Sequence, residues 1–526
     1  MSKDGAEQQQ TIWAESEWPA GLPEAEAQAG APQGGPRFEA INRQQMVLRT
    51  VDVEQLLEPD HRARTIGEMA GRPDLTPYTV AVRAVEGAAG RSPKDPRLLI
   101  ALWVYAYSEG VSAAREVARR CEYHPAYQWL TGCEVVNYHT LSDFRVDHQE
   151  ALDKLFAQLL AILSREGLIT LEQVVHDGTK VKAAASGQSM HREPTLRAHL
   201  EAAQQRVQAL GDPREEAGDR RRRAARERAA RERVERLEQA LEELQKVQAA
   251  PEGRAEKSER RASETDPEAR VMKQGDGGFA LSHNVQLSTD TAHAIIVGAS
   301  VTQEASDQRQ LVPALEEVER QNGRAPGQMI VDEGYTTREN VLAAADRGVD
   351  LIGSTMQPKT EAARKHFERR GVDPAFYPEK FRYDPESDSY ACPPGKKLAP
   401  RATRRGRVGV VHQVYQARAA DCRDCPLRAG CQPGQHGRMI VRRENVPAVA
   451  AYVAKMQTEE ARAAYRRRGP VAEFSNLWLK TKLGLRQFCV RGLKKARGEV
   501  LWACLTYNIQ QWFRLRWKPR RSAASA

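Results

Sequence analysis

Three carboxylates stand where phosphate chemistry can be assembled. They are Asp177 in "LEQVVHDGTKVKAAAS", Asp332 in "GQMIVDEGYTT" and Glu473 in "YRRRGPVAEFSNLWLKTKLGLRQF". The first two each close a strand-like apolar run, and the third sits on a predicted helix after a Gly–Pro break. Sites in open α/β sheets gather beyond the carboxyl ends of strands, so distant segments can converge there. Carboxylate oxygens are hard ligands that suit Mg²⁺. Two such ions about 3.5–4 Å apart activate a water and neutralise the leaving oxygen in phosphodiester cleavage. On spacing alone, each aspartate reads equally as the cap of a turn. The strand period turns Glu333 away from Asp332. His176 faces away from Asp177 into the interior, and His283 and His293 flank a hairpin and are not read as ligands.

Basic residues surround these positions. Lys180 and Lys182 follow Asp177 in a "GTKVKA" turn, where Gly178 permits a close approach. Lys480 stands seven residues after Glu473 and shares its helix face. Lys482, Arg486, Arg491, Lys494, Lys495 and Arg497 extend the stripe. Such residues clamp a nucleic-acid backbone with salt-dependent affinity and little sequence information. They also serve simply to keep a helix solvated. Trp478 and Leu485 read as core.

A separate cluster has metal-ligand spacing. Cys422, Cys425 and Cys431 lie in "CRDCPLRAGC", with Cys392 upstream in "YACPPGKKL". Four thiolates suit tetrahedral Zn²⁺, and a closed site of this kind is structural. Free buried thiols are the alternative. Cys121, Cys133, Cys489 and Cys504 read as ordinary buried residues.

The elements that must position these groups follow from periodicity. Residues 1–42 are polar and rich in Gly, Pro, Ala and Glu, and read as a disordered tail. Residues 43–168 form a helical domain, with Leu152, Leu155, Leu159 and Ile162 on one side of an amphipathic helix. It reads equally as a DNA-binding domain or a packed bundle without a ligand. "LITLEQVVHD" opens an α/β core over 169–186. Residues 187–262 interrupt it. Leu196, Leu200, Ala203, Val207 and Leu210, then Val234, Leu237, Leu241 and Leu244, recur at coiled-coil spacing and predict an antiparallel helical hairpin. Its arginine run reads as either a solvated face or a nucleic-acid contact. The core resumes over 263–354 with strands and helices in alternation, one helix being capped by Ser306. Residues 355–445 form a cysteine-rich insertion. Residues 446–515 form a basic helical part carrying Glu473, followed by a basic tail over 516–526.

The chain has 526 residues, 80 Lys+Arg against 70 Asp+Glu, and a net charge of +10. That balance leans toward an anionic partner. There is no pattern of a signal peptide and no run of 18 apolar residues. A cytoplasmic, nucleoid-associated protein without a membrane span is expected. The cysteine usage fits a reducing compartment.

Longer motifs carry a family resemblance. "DPRLLIALWVYAYSEGVSAAREVARRC", "WLTGCEVVNYHTLSDFR", "VVHDGTKVKAAAS", "HNVQLSTDTAHAIIVGASVTQEASDQRQLVPAL", "IVDEGYTTRENV" and "YRRRGPVAEFSNLWLKTKLGLRQFCVRGLKKARGEVLWACLTYNI" occur in order. The chain resembles DDE-type bacterial insertion-sequence transposases, specifically the IS1182-like branch of the IS4/IS5 group, over roughly residues 45–512. The resemblance implies an RNase H-like catalytic core in which Asp177, Asp332 and Glu473 are the metal-binding triad. Tyr465, Arg468 and Lys480 become companions of Glu473. Two Mg²⁺ or Mn²⁺ ions per site are implied. So are DNA cleavage at terminal inverted repeats, strand transfer into target DNA, and a homodimer on double-stranded DNA. Three features depart from the pattern: the glutamate in "DEGY", the five-residue step from Arg468 to Glu473, and the long arginine-rich hairpin. The alternative is a catalytically silent DNA-binding protein descended from such an enzyme.

Overall fold

The computed structural model describes residues 46, 50–80, 92–211, 220–249, 259–354, 364, 367–405, 410–431 and 436–517. The expected tail over 1–42, and residues 518–526 of the basic tail, lie outside them.

The sheet follows from the strands read in the sequence, but the first strand is longer than expected. β1 spans Gln173–Lys182 and runs straight through Asp177 and the predicted "GTKVKA" turn. The reason is its partner. β5 (Phe279–Asp290) pairs with β1 antiparallel from Val174↔Asp290 to Lys182↔Ser282, which keeps the Gly–Thr–Lys stretch extended. A short two-stranded ladder interrupts the order: β2 (Met190–His191) pairs with β3 (Ala262–Ser263). β4 (Arg270–Lys273) and β6 (Ile295–Thr302) share the other edge of β5. On the far side β7 (Gln328–Ile330) runs parallel to β1, and β8 (Asp350–Ile352) runs parallel to β7. The resulting mixed α/β sheet is consistent with an RNase H-like core.

β1 buries Val174, Val175 and Val181, and β6 buries Ile295, Ile296 and Val297. One continuous apolar core joins this sheet to the N-terminal helices and to the helix Leu493–Trp512. Trp103, Tyr107, Tyr127 and Trp502 lie within it and are almost wholly excluded from solvent. Where this helix meets the sheet, the buried Asn508 side chain accepts from Ile296 N at 2.9 Å and donates to Ile296 O at 2.8 Å. These pairings satisfy backbone groups that burial would otherwise leave unmatched.

The hairpin expected between Ser186 and Ala262 is present. Helices Glu193–Gly211 and Arg220–Ala249 pair through their own small core of Leu196, Ala203, Leu237, Ala240 and Leu244. Arg226, Arg228, Arg231 and Arg233 stand on its exposed side. The cysteine-bearing segment contains a five-stranded antiparallel meander not foreseen from sequence: β9 (Arg382–Asp384), β10 (Ser389–Ala391), β11 (Lys397–Arg405), β12 (Val410–Ala417) and β13 (Met439–Asn445).

Two local expectations are corrected. The helix after β6 is Leu311–Asn322 and has no side-chain cap, so Ser306 lies in the preceding loop. Cys121 and Cys504 are buried, but Cys133 and Cys489 are exposed. Cys133 sits in a left-handed turn (φ 65°) just after the helix Pro125–Thr131, on a short exposed stretch with Glu134 and Val135. Among the described residues, no helix is long and apolar enough to cross a membrane.

Candidate active site

Strand register brings the two aspartates together. The parallel ladder between β1 and β7 ends at Val175↔Ile330. Asp177, within β1, and Asp332, in the turn that follows β7, each lie two residues beyond that last parallel pair. Asp177 is not at the end of its strand, as expected, but at the point where its parallel neighbour stops. Asp332 does cap a turn, its Oδ1 accepting from Gly334 N at 2.8 Å. The capping and site readings are therefore compatible, because Oδ2 remains for other work.

The helix Arg468–Thr481 crosses this point. Arg468 Nη2 donates to Asp177 Oδ1 at 3.1 Å and lies 3.6 Å from Asp332 Oδ2. Eight residues on, Asn476 Nδ2 donates to Asp177 Oδ2 at 3.1 Å. Four further, Lys480 Nζ donates to the Lys180 carbonyl at 2.9 Å. This i, i+4 progression is one helix stripe facing β1. Burial pushes the Asp177 carboxyl above the ordinary aspartate range; Arg468 opposes that rise and Asp332 adds to it. Burial depresses Lys480, helped by repulsion from Lys180 and Arg486.

Glu473 lies on the same helix, one residue past the buried Ala472, and is exposed. Its carboxylate makes no hydrogen bond or ion pair with the described residues. The fold thus links Asp177 and Asp332 through Arg468, whereas Glu473, on the same helix but one residue round from the stripe, makes no hydrogen bond or ion pair with either. Tyr465 is half-buried and packs on the core. Lys182 and Lys482 are exposed, as are Lys494, Arg486 and Arg491. Arg486 Nε donates to Lys480 O at 3.3 Å, and Arg491 Nε to Ala184 O at 3.4 Å. Arg497 leaves the proposed stripe altogether: it pairs with Asp153 at 2.6 Å and Glu317 at 3.4 Å. Trp478 and Leu485 pack on or within the core as expected.

A buried polar network supports the pair from behind, and most of it was not singled out from sequence. Asp307 Oδ1 accepts from Asn284 Nδ2 at 2.7 Å, Gln286 Nε2 at 2.8 Å and Lys180 Nζ at 3.1 Å. Tyr335 OH donates to Gln286 Oε1 at 2.5 Å. His176 is buried as predicted, with Nδ1 2.9 Å from Ser288 Oγ and Nε2 2.9 Å from Gln286 Oε1. Its burial lowers the imidazole to about 4, so it is neutral at physiological pH. Asn476 was discoverable, since it falls on the helical stripe that carries Arg468 and Lys480. Asp307 had no such signal, because it lies in a loop whose path is set by tertiary packing.

The donors fit a hard divalent cation. The Arg468 guanidinium sits against both aspartates as a cation would, and the oxygen Asn476 Oδ1 is buried without a partner among the described residues. Mg²⁺ or Mn²⁺ suits an all-oxygen set of this kind.

The four cysteines also converge. Cys392, Cys422, Cys425 and Cys431 line one small apolar pocket. Lys396 N donates to Cys392 Sγ at 3.2 Å, and Arg438 N to Cys422 Sγ at 3.4 Å. Burial raises the Cys392 and Cys431 thiols, and their neighbours in the cluster add to the rise. A tighter group capable of holding a metal ion is formed elsewhere, by His191, His199 and Glu264, whose ligand atoms lie within 4.8 Å of one another.

Residues 391–513 match the family model described as a transposase DDE domain, and residues 51–147 match one described as a transposase domain (DUF772). No curated protein matches the chain. The first match includes the four cysteines and Glu473 but ends its N-terminal side well after Asp177 and Asp332.

Proposed function

We propose, from the premise of a chain carrying a transposase DDE domain, that this protein is a DNA transposase of the IS1182-like branch. It binds the ends of its element, cleaves a phosphodiester there and joins the freed 3′-OH to target DNA, working as a homodimer on double-stranded DNA. The observation that carries this reading is the register of β1 and β7, which sets Asp177 beside Asp332 beyond a shared strand edge.

Asp177 and Asp332 would hold Mg²⁺ or Mn²⁺, with Glu473 completing the set from the crossing helix. When bound, such ions activate water as a nucleophile and neutralise the leaving oxygen. The remaining roles belong to the chain itself. Arg468 holds the carboxylates together against their repulsion. Asp307 fixes Lys180, and the Lys180 carbonyl in turn anchors Lys480, so two ammonium groups are positioned along one strand for phosphate contacts. Lys182, Lys482, Arg486, Arg491 and Lys494 extend the basic path. Tyr465 acts by packing the helix that precedes Arg468. The hydrolysis and the joining step are both in-line displacements at phosphorus, so one site serves both.

The test is Mg²⁺-dependent cleavage of labelled element-end DNA. Wild type is expected to cut, whereas Asp332→Ala and Glu473→Ala are expected to bind the same DNA without cutting it. Retained cleavage by Glu473→Ala would remove that residue from the set. Absence of cleavage by wild type with intact end binding would favour the silent DNA-binding alternative.

The cysteine pocket is read as a structural zinc site bracing the meander of β9 to β13. Metal analysis of purified protein should find about one zinc ion per chain at this site. Changing Cys422 and Cys425 to serine should remove it and lower the thermal midpoint. A zinc content unchanged by the double substitution would refute the assignment.

A further inference from the structure

We propose that His191, His199 and Glu264 form a second transition-metal site, separate from the aspartate pair, that ties together the root of the charged hairpin. The three side chains come from three elements. His191 ends β2, His199 lies two turns into the helix Glu193–Gly211, and Glu264 follows β3 directly. The β2–β3 ladder sets them in register: His191 pairs with Ala262, two residues before Glu264. Glu264 N donates to Ser189 O at 2.9 Å, and Ser189 Oγ lies 2.7 Å from Ser263 Oγ, so the strand ends are locked before any ion binds.

The side chains already converge. His199 Nδ1 is 2.7 Å from Glu264 Oε2, and the His191 and His199 rings stand 5.1 Å apart at 75°. All three residues are partly buried, which leaves a route for an ion while limiting competition from water. Two imidazoles and one carboxylate are the donors that Zn²⁺ and similar first-row ions prefer, and three protein ligands leave one position for water. Mg²⁺ prefers oxygen donors, so it would favour the aspartate pair over this site. For an ion to enter, the hydrogen between His199 Nδ1 and Glu264 Oε2 moves to the other ring nitrogen, Nε2, which frees Nδ1 and Oε2 as ligands of the ion.

The consequence is mechanical. The chain leaves the core at His191, traverses the whole hairpin and returns at Glu264. Without a metal, the root is held by the short β2–β3 ladder, the two serines and the Arg192–Glu259 ion pair. An ion on ligands from the outgoing strand, the first helix and the returning strand would clip a long excursion at its neck, where cross-linking restricts the chain most. The orientation of the arginine-bearing helices against the catalytic sheet would then depend on zinc.

The experiment uses full-length protein, with Zn²⁺ as the probe. Zinc binding is measured by competition with a chromophoric chelator, and trypsin susceptibility of the hairpin root is followed with and without zinc. Wild type should show a site that is lost or weakened on the order of a hundredfold or more in His191→Ala, His199→Ala and Glu264→Gln, since even outer-shell changes cost 10–100-fold. Zinc should slow cleavage near Arg192 and Arg260 in wild type and leave the variants unprotected. Glu264→Gln keeps side-chain shape, and circular dichroism checks that each variant folds. Co²⁺ distinguishes the cysteine pocket, because only thiolate ligation gives intense near-ultraviolet charge-transfer bands. Equal zinc affinity in wild type and all three folded variants, or no zinc protection of the hairpin in wild type, would overturn the proposal. Neither readout involves DNA cleavage, so the result stands apart from the transposase reading.

Discussion

Asp177→Asn is expected to lose at least about a hundred- to a thousandfold in Mg²⁺-dependent cleavage, the scale seen when one preorganised electrostatic group is removed from a site. Asparagine keeps the shape and can still meet Asn476, so DNA binding should be unchanged. The cost falls on charge. Asp177 is held by Arg468 and Asn476 and stands beside Asp332, so its replacement removes one of two adjacent anionic ligands. A pH consequence accompanies the substitution. Because burial raises its folded-state value, the folded chain binds the Asp177 proton more tightly than the unfolded chain does. The stability this group contributes is fully present below the ordinary carboxylate range. It is lost as pH rises through the raised folded value. At neutral pH the wild type therefore carries a penalty that Asp177→Asn relieves, and the metal-free variant should melt no lower than wild type. Cleavage assays at neutral pH and metal-free thermal melts from below the ordinary aspartate value of about 4 up to neutral pH check both parts. Full activity in the variant would eliminate Asp177 as a ligand, and a sharply lower midpoint would show that its charge is structural.

Gly178→Ala is expected to damage the protein from the other side of the same strand. The reason is space rather than backbone angle. A Cβ there would lie 2.5 Å from Gln286 Nε2, 2.7 Å from Asp307 Oδ1 and 2.9 Å from Tyr335 OH. Each is the end of a side chain, but none is free to swing away. Gln286 is bonded to Asn284, Asp307, His176 and Tyr335, and Asp307 also holds Lys180. Admitting one methyl group must break part of this network. Overpacking of this kind costs about 1–3 kcal/mol, and stranded buried polar groups add about 1–3 kcal/mol each. A lower unfolding midpoint is expected, together with a loss of cleavage as Lys180 is released. Gly187→Ala is the control, since its added Cβ would meet nothing within 4 Å and should leave both measurements unchanged. Equal midpoints for the two variants would show that the network yields readily.

Much of the scaffold was legible because it rests on repetition along the chain. The heptad spacing from Leu196 to Leu244 specified a paired hairpin, and burial of those same leucines is local to it. "LITLEQVV" announced a strand, and "GQMIVDEGY" announced its neighbour, because buried strands are written as short apolar runs. The CxxC spacing flagged a cluster that does line one pocket. Helical periodicity also places Arg468, Asn476 and Lys480 on one face.

What tertiary structure alone decided concerns relations between segments. The end of β1 could not be read from "HDGTKVKA", since the pairing with β5 keeps it extended to Lys182. Likewise, no local pattern announced that His191, His199 and Glu264 would meet, because a helical hairpin separates them in the chain. Arg497 looked like one more member of a basic stripe until the fold supplied Asp153 and Glu317. The sequence by itself determined which residues could do chemistry and which elements would carry them. Strand register and the path of long connections decided which of them meet, because pairing depends on partners distant in the chain. The clearest case is the offset of Asp177 and Asp332 from Val175↔Ile330: two residues on in each segment, and two carboxylates face one guanidinium.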